Sequence, residues 1–71
     1  MKYIIQIDLK ADEDINSVGL YVGHSLNDAY NFYKLLCADN LHLPTVKKLS
    51  LIYQGDDSTF YTLDVAMGLV T

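Results

Sequence analysis

The chain has no arginine and no tryptophan, and it has one cysteine and one proline. An intrachain disulfide is excluded because Cys37 has no partner, and a lone thiol is typical of a reducing, intracellular setting. Without arginine the chain lacks the side chain that most often holds phosphate or guanine in a bidentate geometry. Together with the net charge of −4, this argues against nucleic-acid binding, which would depend on a few lysines acting against net repulsion.

Long apolar runs are missing as well. The N-terminus M-K-Y-I-I-Q-I-D-L-K begins like a signal sequence, but Gln6 and Asp8 interrupt the apolar run and no small-residue cleavage site follows. No stretch approaches the roughly 20 apolar residues that cross a bilayer. We therefore expect a cytoplasmic protein with no membrane partner.

The length of 71 residues predicts a single compact domain over 1–71, near the lower size limit for an independent core. The sequence contains no internal repeat, low-complexity tract or linker. Domains this small often depend on a disulfide, a metal or a partner subunit for stability, and the cysteine count has already excluded the disulfide.

Four segments alternate apolar and polar residues with the period of two that is typical of half-buried strands. The last two predict a hairpin, and a loop of three or five residues around Gly55–Ser58 would bring both apolar sets to one face, through a glycine-assisted bulged turn. The second segment is shorter and contains two glycines. The predicted inward sets are Tyr3, Ile5, Ile7 and Leu9; Val18, Leu20 and Val22; Leu49, Leu51 and Tyr53; and Tyr61, Leu63, Val65 and Met67.

A helix is predicted between the second and third strands. Ser25 is suited to the N-cap, Asp28 complements the positive helix end, and Asn40 is suited to a left-handed C-cap. The predicted class is α+β: a small antiparallel sheet of three or four strands, ββαββ or βαββ, with one helix packed on one face. The helical stripe predicted to face the sheet contains Leu26, Ala29, Tyr30, Tyr33, Leu36 and Cys37.

Residues that carry chemistry are few and poorly spaced. Cys37 and His42 are five apart and His24 stands alone, which does not match a structural zinc site. The acidic run Asp12–Asp14 lacks the alternate spacing and the glycine of a calcium loop. A sheet with one helix is also expected to be too thin for a ligand pocket. We therefore expect no metal, no cofactor, no catalytic residue and no enzymatic activity.

Several apolar residues fall outside these predicted core faces, and together they form a candidate protein-binding surface. Phe32 and Leu35 lie off the helical stripe. Tyr21 is predicted to point away from its strand's inward set. The outward register of the sheet carries Ile4, Ile52 and Phe60.

The leading functional hypothesis is a non-catalytic protein-binding module that acts as a homodimer, by docking onto a larger protein, or both. Small acidic inhibitors of host defence enzymes, of the kind that phages and mobile elements carry, fit this description by analogy. One alternative is a metabolite-binding or enzymatic subunit whose site forms at an oligomer interface, with His24, His42 and Tyr21 as candidates. Another is a weak nucleic-acid binder that uses Lys47, Lys48 and exposed aromatics.

Overall fold

The protein is described from a computed structural model that covers residues 1–11 and 14–69. The side chains at 11, 14 and 15 are not described either, so the side chains of the predicted acidic run Asp12–Asp14 all lie outside the description. The predicted order ββαββ is confirmed, and its elements are β1 (Lys2–Ala11), β2 (Asp14–Gly23), α1 (Leu26–Asn40), β3 (Val46–Gln54) and β4 (Phe60–Met67).

The four strands form one antiparallel sheet in the order β2-β1-β3-β4. The helix joins β2 to β3 and packs on β1, β2 and β3. We call the sheet face under the helix the inner face and the opposite one the outer face. This arrangement is the predicted α+β class.

The core lies between the helix and the two central strands. Ile5 pairs with Leu51 and Ile7 pairs with Leu49, so the predicted inward sets of β1 and β3 share the inner face. Tyr33 reaches across the core from the helix, where its hydroxyl donates to the Leu49 carbonyl at 3.5 Å. Among the described residues the buried apolar cluster is Ile5, Ile7, Ala29, Tyr33, Val46, Leu49 and Leu51.

A bulge in β2 changes which side chains of this strand lie on the inner face, so part of the prediction is wrong. The pairing shifts so that Leu20 is an extra residue, and Tyr21 comes to lie opposite Ile5 on the inner face. The prediction that Tyr21 points away from the core is therefore wrong. Val22 pairs with Ile4 on the outer face, so its predicted inward position is also wrong. The physical reason is that one inserted residue reverses the two-residue alternation beyond it.

A second bulge, in β4, has the same effect. Tyr61 pairs with Tyr53 on the inner face as predicted, but Leu63 is an extra residue at the register shift. Val65 then lies opposite Ser50 on the outer face, where it was predicted to face the core. Met67 likewise pairs with Lys48 on the outer face. Both predictions are wrong for the reason that applies to β2.

The β3–β4 connection has one of the two predicted lengths, but the residue with a left-handed backbone is not the predicted glycine. Gln54 pairs with Phe60, which leaves the five-residue loop 55–59. Ser58, and not a glycine, adopts the left-handed conformation, with φ of 64°. The Asp57 carboxylate accepts a hydrogen bond from the Thr59 backbone N–H at 3.0 Å. That bond lowers the pKa of Asp57, so the carboxylate form fixes the turn.

The helix begins after Ser25 and ends at Asn40 as predicted, but its C-terminal cap differs from the prediction. The Ser25 hydroxyl accepts from the Asp28 N–H at 3.3 Å, which caps the first turn. The last helical residue is Asn40, but the capping residue Leu41 is right-handed, so the predicted left-handed cap is wrong. The Asn40 side chain instead donates to the Leu36 carbonyl at 2.8 Å. The Leu41 backbone N–H donates to the Cys37 carbonyl at 3.1 Å and so satisfies one of the last four helical carbonyls.

The predicted helical stripe is narrower than expected. Ala29 and Tyr33 are fully buried, and Leu36 and Cys37 are half-buried. Leu26 keeps 47% of its surface exposed. Leu26 and Tyr30 line a groove that runs between the helix and β4, so their side of the helix faces this groove and not the core.

Candidate protein-binding surface

The outer face carries a row of apolar side chains that crosses three strands. Ile4 lies at its centre, paired with Val22 of β2 on one side and with Ile52 of β3 on the other. Thr62 of β4 continues the row beyond Ile52. β-Branched residues that are adjacent in this way pack laterally and present a continuous apolar strip.

Three more apolar residues extend this strip along β4. Phe60 pairs with Gln54, one step diagonally from Ile52, and Val65 and Met67 follow further along the strand. Phe60 is 61% exposed and Val22 is 60% exposed. We call the whole set the outer patch: Ile4, Val22, Ile52, Phe60, Val65 and Met67.

A charge-balanced polar network lies beside the outer patch. The Ser17 hydroxyl donates to the Asp8 carboxylate at 2.7 Å, and Lys48 Nζ lies 3.6 Å from the other oxygen of the same carboxylate. Asp8 is therefore held from both neighbouring strands. The network gives this end of the face a fixed polar rim.

The structure brings together three of the six residues predicted to bind protein. Ile4, Ile52 and Phe60 all lie in the outer patch. The sequence interpretation missed Val22, Val65 and Met67, since both bulges had to be located first. Gly19, directly before the β2 bulge, is a signal that could have indicated it.

Two other predicted residues have a different role. The rings of Tyr21 and Phe32 stack with centroids 5.2 Å apart, so Phe32 packs on β2 from the helix. This contact is on the side of the sheet that carries the helix, away from the outer patch. Leu35 is 63% exposed on the helix and forms no part of the outer patch either.

The groove between the helix and β4 is larger than the sequence suggested. It has a volume of about 510 Å³, and its lining includes Leu26, Tyr30, Leu63 and Asp64. The expectation that so thin a fold leaves little room for a ligand pocket is therefore wrong. It failed because the helix packs on the other three strands, which leaves the inner side of β4 open.

Cys37 lies on the core side of the helix, one turn after Tyr33. Burial raises the pKa of the Cys37 thiol; a hydrogen bond with Tyr33 opposes that shift and the Asp64 carboxylate adds to it. Burial also raises the pKa of Tyr33, and the Cys37 and Asp64 charges act in the same direction. Both groups therefore stay protonated near neutral pH, which is the state of structural rather than nucleophilic side chains.

The remaining candidates for chemistry do not converge. His24 Nδ1 lies 2.8 Å from the Met1 carbonyl oxygen at the start of the helix. His42 follows the other end of the 15-residue helix, roughly 22 Å away at 1.5 Å per residue. Within residues 1–11 and 14–69, no group of three or more histidine, cysteine or acidic side chains is placed to hold a metal ion.

The described part of the chain contains no helix that is long and apolar enough to cross a membrane. No family model, no curated protein and no solved structure matches the sequence or the fold. Function is therefore inferred from the geometry of the outer patch and of the groove.

Proposed function

We propose that this protein is a non-catalytic protein-binding module and that the outer patch is its binding surface. The observation that carries the proposal is the row formed by Val22, Ile4 and Ile52 across three strands of a face opposite the helix. Scattered apolar residues are ordinary on protein surfaces, but a contiguous apolar set with a polar rim is typical of an interaction site.

The chemistry of the outer patch suits binding to a protein surface. It combines an aromatic side chain, Phe60, and a methionine, Met67, with β-branched residues. Aromatic residues and methionine are enriched in the centres of interfaces, where charged residues are depleted. The Asp8–Lys48 pair lies at the rim, where a charge pair helps to orient a partner without becoming fully desolvated.

Inhibition of a host defence enzyme, as carried out by small proteins of phages and mobile elements, is a narrower form of this proposal. Small size and acidic composition support it by analogy. The described acidic side chains outside the rim lie on the helix, in the β3–β4 loop and beside the groove.

A second candidate function is supported by the groove between the helix and β4. Its volume of about 510 Å³ lies within the range of small-molecule sites. Leu26, Tyr30 and Leu63 supply apolar walls, and Asp64 supplies one acidic group. A small apolar amine fits that chemistry, and titration of such amines against the Asp64→Asn variant tests it.

The main proposal is tested by comparing three baits in a lysate of the source cell. The baits are the wild type, Ile52→Lys combined with Phe60→Ser, and Leu35→Lys as a control that places a charge on the helix. We expect a protein, or an added untagged copy of the chain itself, to bind the wild type and the control. Binding to the patch variant should fall at least about tenfold, because two interface anchors are lost.

The circular-dichroism spectra of all three baits must match, so that a loss of capture reports a lost contact and not unfolding. Equal capture by the wild type and the folded patch variant would contradict the proposal. Selective loss with Leu35→Lys would assign binding to the helix instead.

A further inference from the structure

We propose that the occupant of the outer patch is a second copy of this chain, packed face to face so that two sheets form a sandwich between two outer helices. This inference rests on the proposed function, because it names the partner of the same surface. The alternatives that it must exclude are dimerisation through a strand edge and docking onto an unrelated protein.

The edges of the sheet are protected against strand addition. β2 and β4 are the two edge strands, and each has a bulge, at Leu20 and at Leu63. A bulge bends an edge out of the regular ladder that an incoming strand needs.

β4 carries an additional protection. The Asp64 side chain follows the bulge and accepts from the Val65 backbone N–H at 2.9 Å, so that N–H is already bonded. A charged side chain in the middle of an edge strand is a recognised obstacle to pairing. The edges are thus obstructed, while the outer face remains open.

The distribution of charge also favours a second copy. The chain has a net charge of −4, so two copies repel each other unless the acidic groups lie away from the contact. On the outer face Asp8 is neutralised by Lys48, and the register places Lys2 on the same face. Among the described acidic side chains, the others lie elsewhere: Asp28 and Asp39 on the helix, Asp56 and Asp57 in the β3–β4 loop, and Asp64 beside the groove.

The area is sufficient for a modest dimer. Four strands about 4.8 Å apart, each with about seven residues at 3.3 Å, give a face of roughly 19 by 23 Å. Two such faces, with uneven side-chain surfaces, bury roughly 1,000 Å², the lower bound of a specific interface. We therefore expect a dissociation constant in the micromolar range.

A second sheet would also supply buried apolar surface, of which the isolated fold has little. The buried apolar cluster of the described residues contains seven side chains, and the Cα positions extend only 15 Å along the shortest axis. A face-to-face partner would add a second apolar layer about 10 Å from the first sheet, as in other β-sandwiches. Small domains commonly gain stability by oligomerisation.

The test is sedimentation equilibrium at roughly 5 to 500 µM, which brackets a micromolar dissociation constant. The wild type should approach twice the 8.0 kDa of one chain as concentration rises. Val22→Lys and Leu35→Lys are a matched pair, because these side chains are 60% and 63% exposed and lie on opposite sides of the molecule. We expect Val22→Lys to raise the dissociation constant at least about tenfold and Leu35→Lys to change it less than about twofold.

Ile52→Lys places the same charge at the centre of the patch and should abolish the dimer. If that variant does not fold, Val22→Lys, at an edge strand, still decides the question. A wild type that stays monomeric throughout would overturn the inference but leave the proposed function intact, provided that the bait comparison identifies a different protein. A dimer that is insensitive to Val22→Lys and Ile52→Lys would place the interface elsewhere and overturn the inference.

Discussion

Tyr21 and Phe32 stack with an angle of 27° between their rings and centroids 5.2 Å apart. The contact joins the edge strand β2 to the helix that follows it. Tyr21 reaches this position only because Leu20 is an extra residue in its strand. The bulge in β2 therefore has a structural consequence: it turns an aromatic side chain inward and fixes the helix over the sheet.

A double-mutant cycle measures that contact. Tyr21→Ala and Phe32→Ala should each lower the free energy of unfolding, and the double variant should lose less than the sum of the two. We expect a coupling of about 0.5–1.5 kcal/mol, the usual range for an aromatic pair. Urea denaturation of the four proteins gives the value. Additive effects would mean that the rings do not interact.

Two single substitutions to aspartate, three residues apart, test which side of the helix is buried. Ala29 has no exposed surface, so Ala29→Asp buries a charge and should unfold the domain at a cost of several kcal/mol, roughly its whole stability. Leu26→Asp should change stability by less than about 1 kcal/mol, because the residue is half-exposed and an acid suits the first helical turn. The sequence alone places Leu26 in the helical stripe that faces the sheet. Equal destabilisation by both variants in thermal melts would restore that interpretation.

Stability should fall at alkaline pH. Burial raises the pKa of Cys37 above its ordinary value of 9.0, and it raises the pKa of Tyr33 above 10.0. The unfolded chain then releases these protons at a lower pH than the folded chain, so the free energy of unfolding decreases as pH rises from about 9. Melting temperatures between pH 7 and 11 should show this decrease.

The combination of Cys37→Ser with Tyr33→Phe supplies the control. It removes both groups and should give a flatter profile from a lower starting stability. An unchanged slope would assign the alkaline loss to other groups.

If Asp64 prevents strand pairing at the edge of β4, its removal should cause aggregation. Asp64→Val gives β4 an uncharged, β-branched residue beside the bulge and frees the Val65 N–H for pairing with another chain. Asp39→Val makes the same change of charge on the helix and serves as the control. Light scattering at 37 °C should rise for Asp64→Val alone. Equal behaviour of the two variants would mean that the edge is protected by the bulge without the charge.

Much of the fold follows from local patterns in the sequence. The alternation around Ile5 and Leu51 predicts the central strands and their shared face, and Ser25 predicts the start of the helix. These signals are local and repeated along each element. The four-stranded sheet with one helix could therefore be predicted.

Only half of the outer patch could be predicted from the sequence. A bulge reverses which side of the sheet the following residues face, and it leaves no trace in the composition of the strand. Ile4, Ile52 and Phe60 can be assigned to the outer face by alternation, because no bulge separates them from the inward residues Ile5, Leu51 and Tyr61 beside them. Val22 and Val65 lie beyond a bulge, so alternation alone puts them on the wrong side. The predicted width of the buried helical stripe is wrong for another reason. Tertiary packing, including the Tyr21–Phe32 contact, sets the position of the helix across the sheet.

Solvent accessibility of the isoleucine methyl groups shows whether the outer patch is a binding surface. Ile4 and Ile52 lie in the patch, whereas Ile5 and Ile7 lie in the core and serve as buried references. In methyl-labelled protein, relaxation by a soluble gadolinium chelate can be followed by NMR from dilute to concentrated samples, and with any captured partner. We expect Ile4 and Ile52 to become protected on association, while the Leu35 methyls stay accessible. Association that protects Leu35 and leaves Ile4 and Ile52 accessible would contradict the assignment of binding to the outer patch.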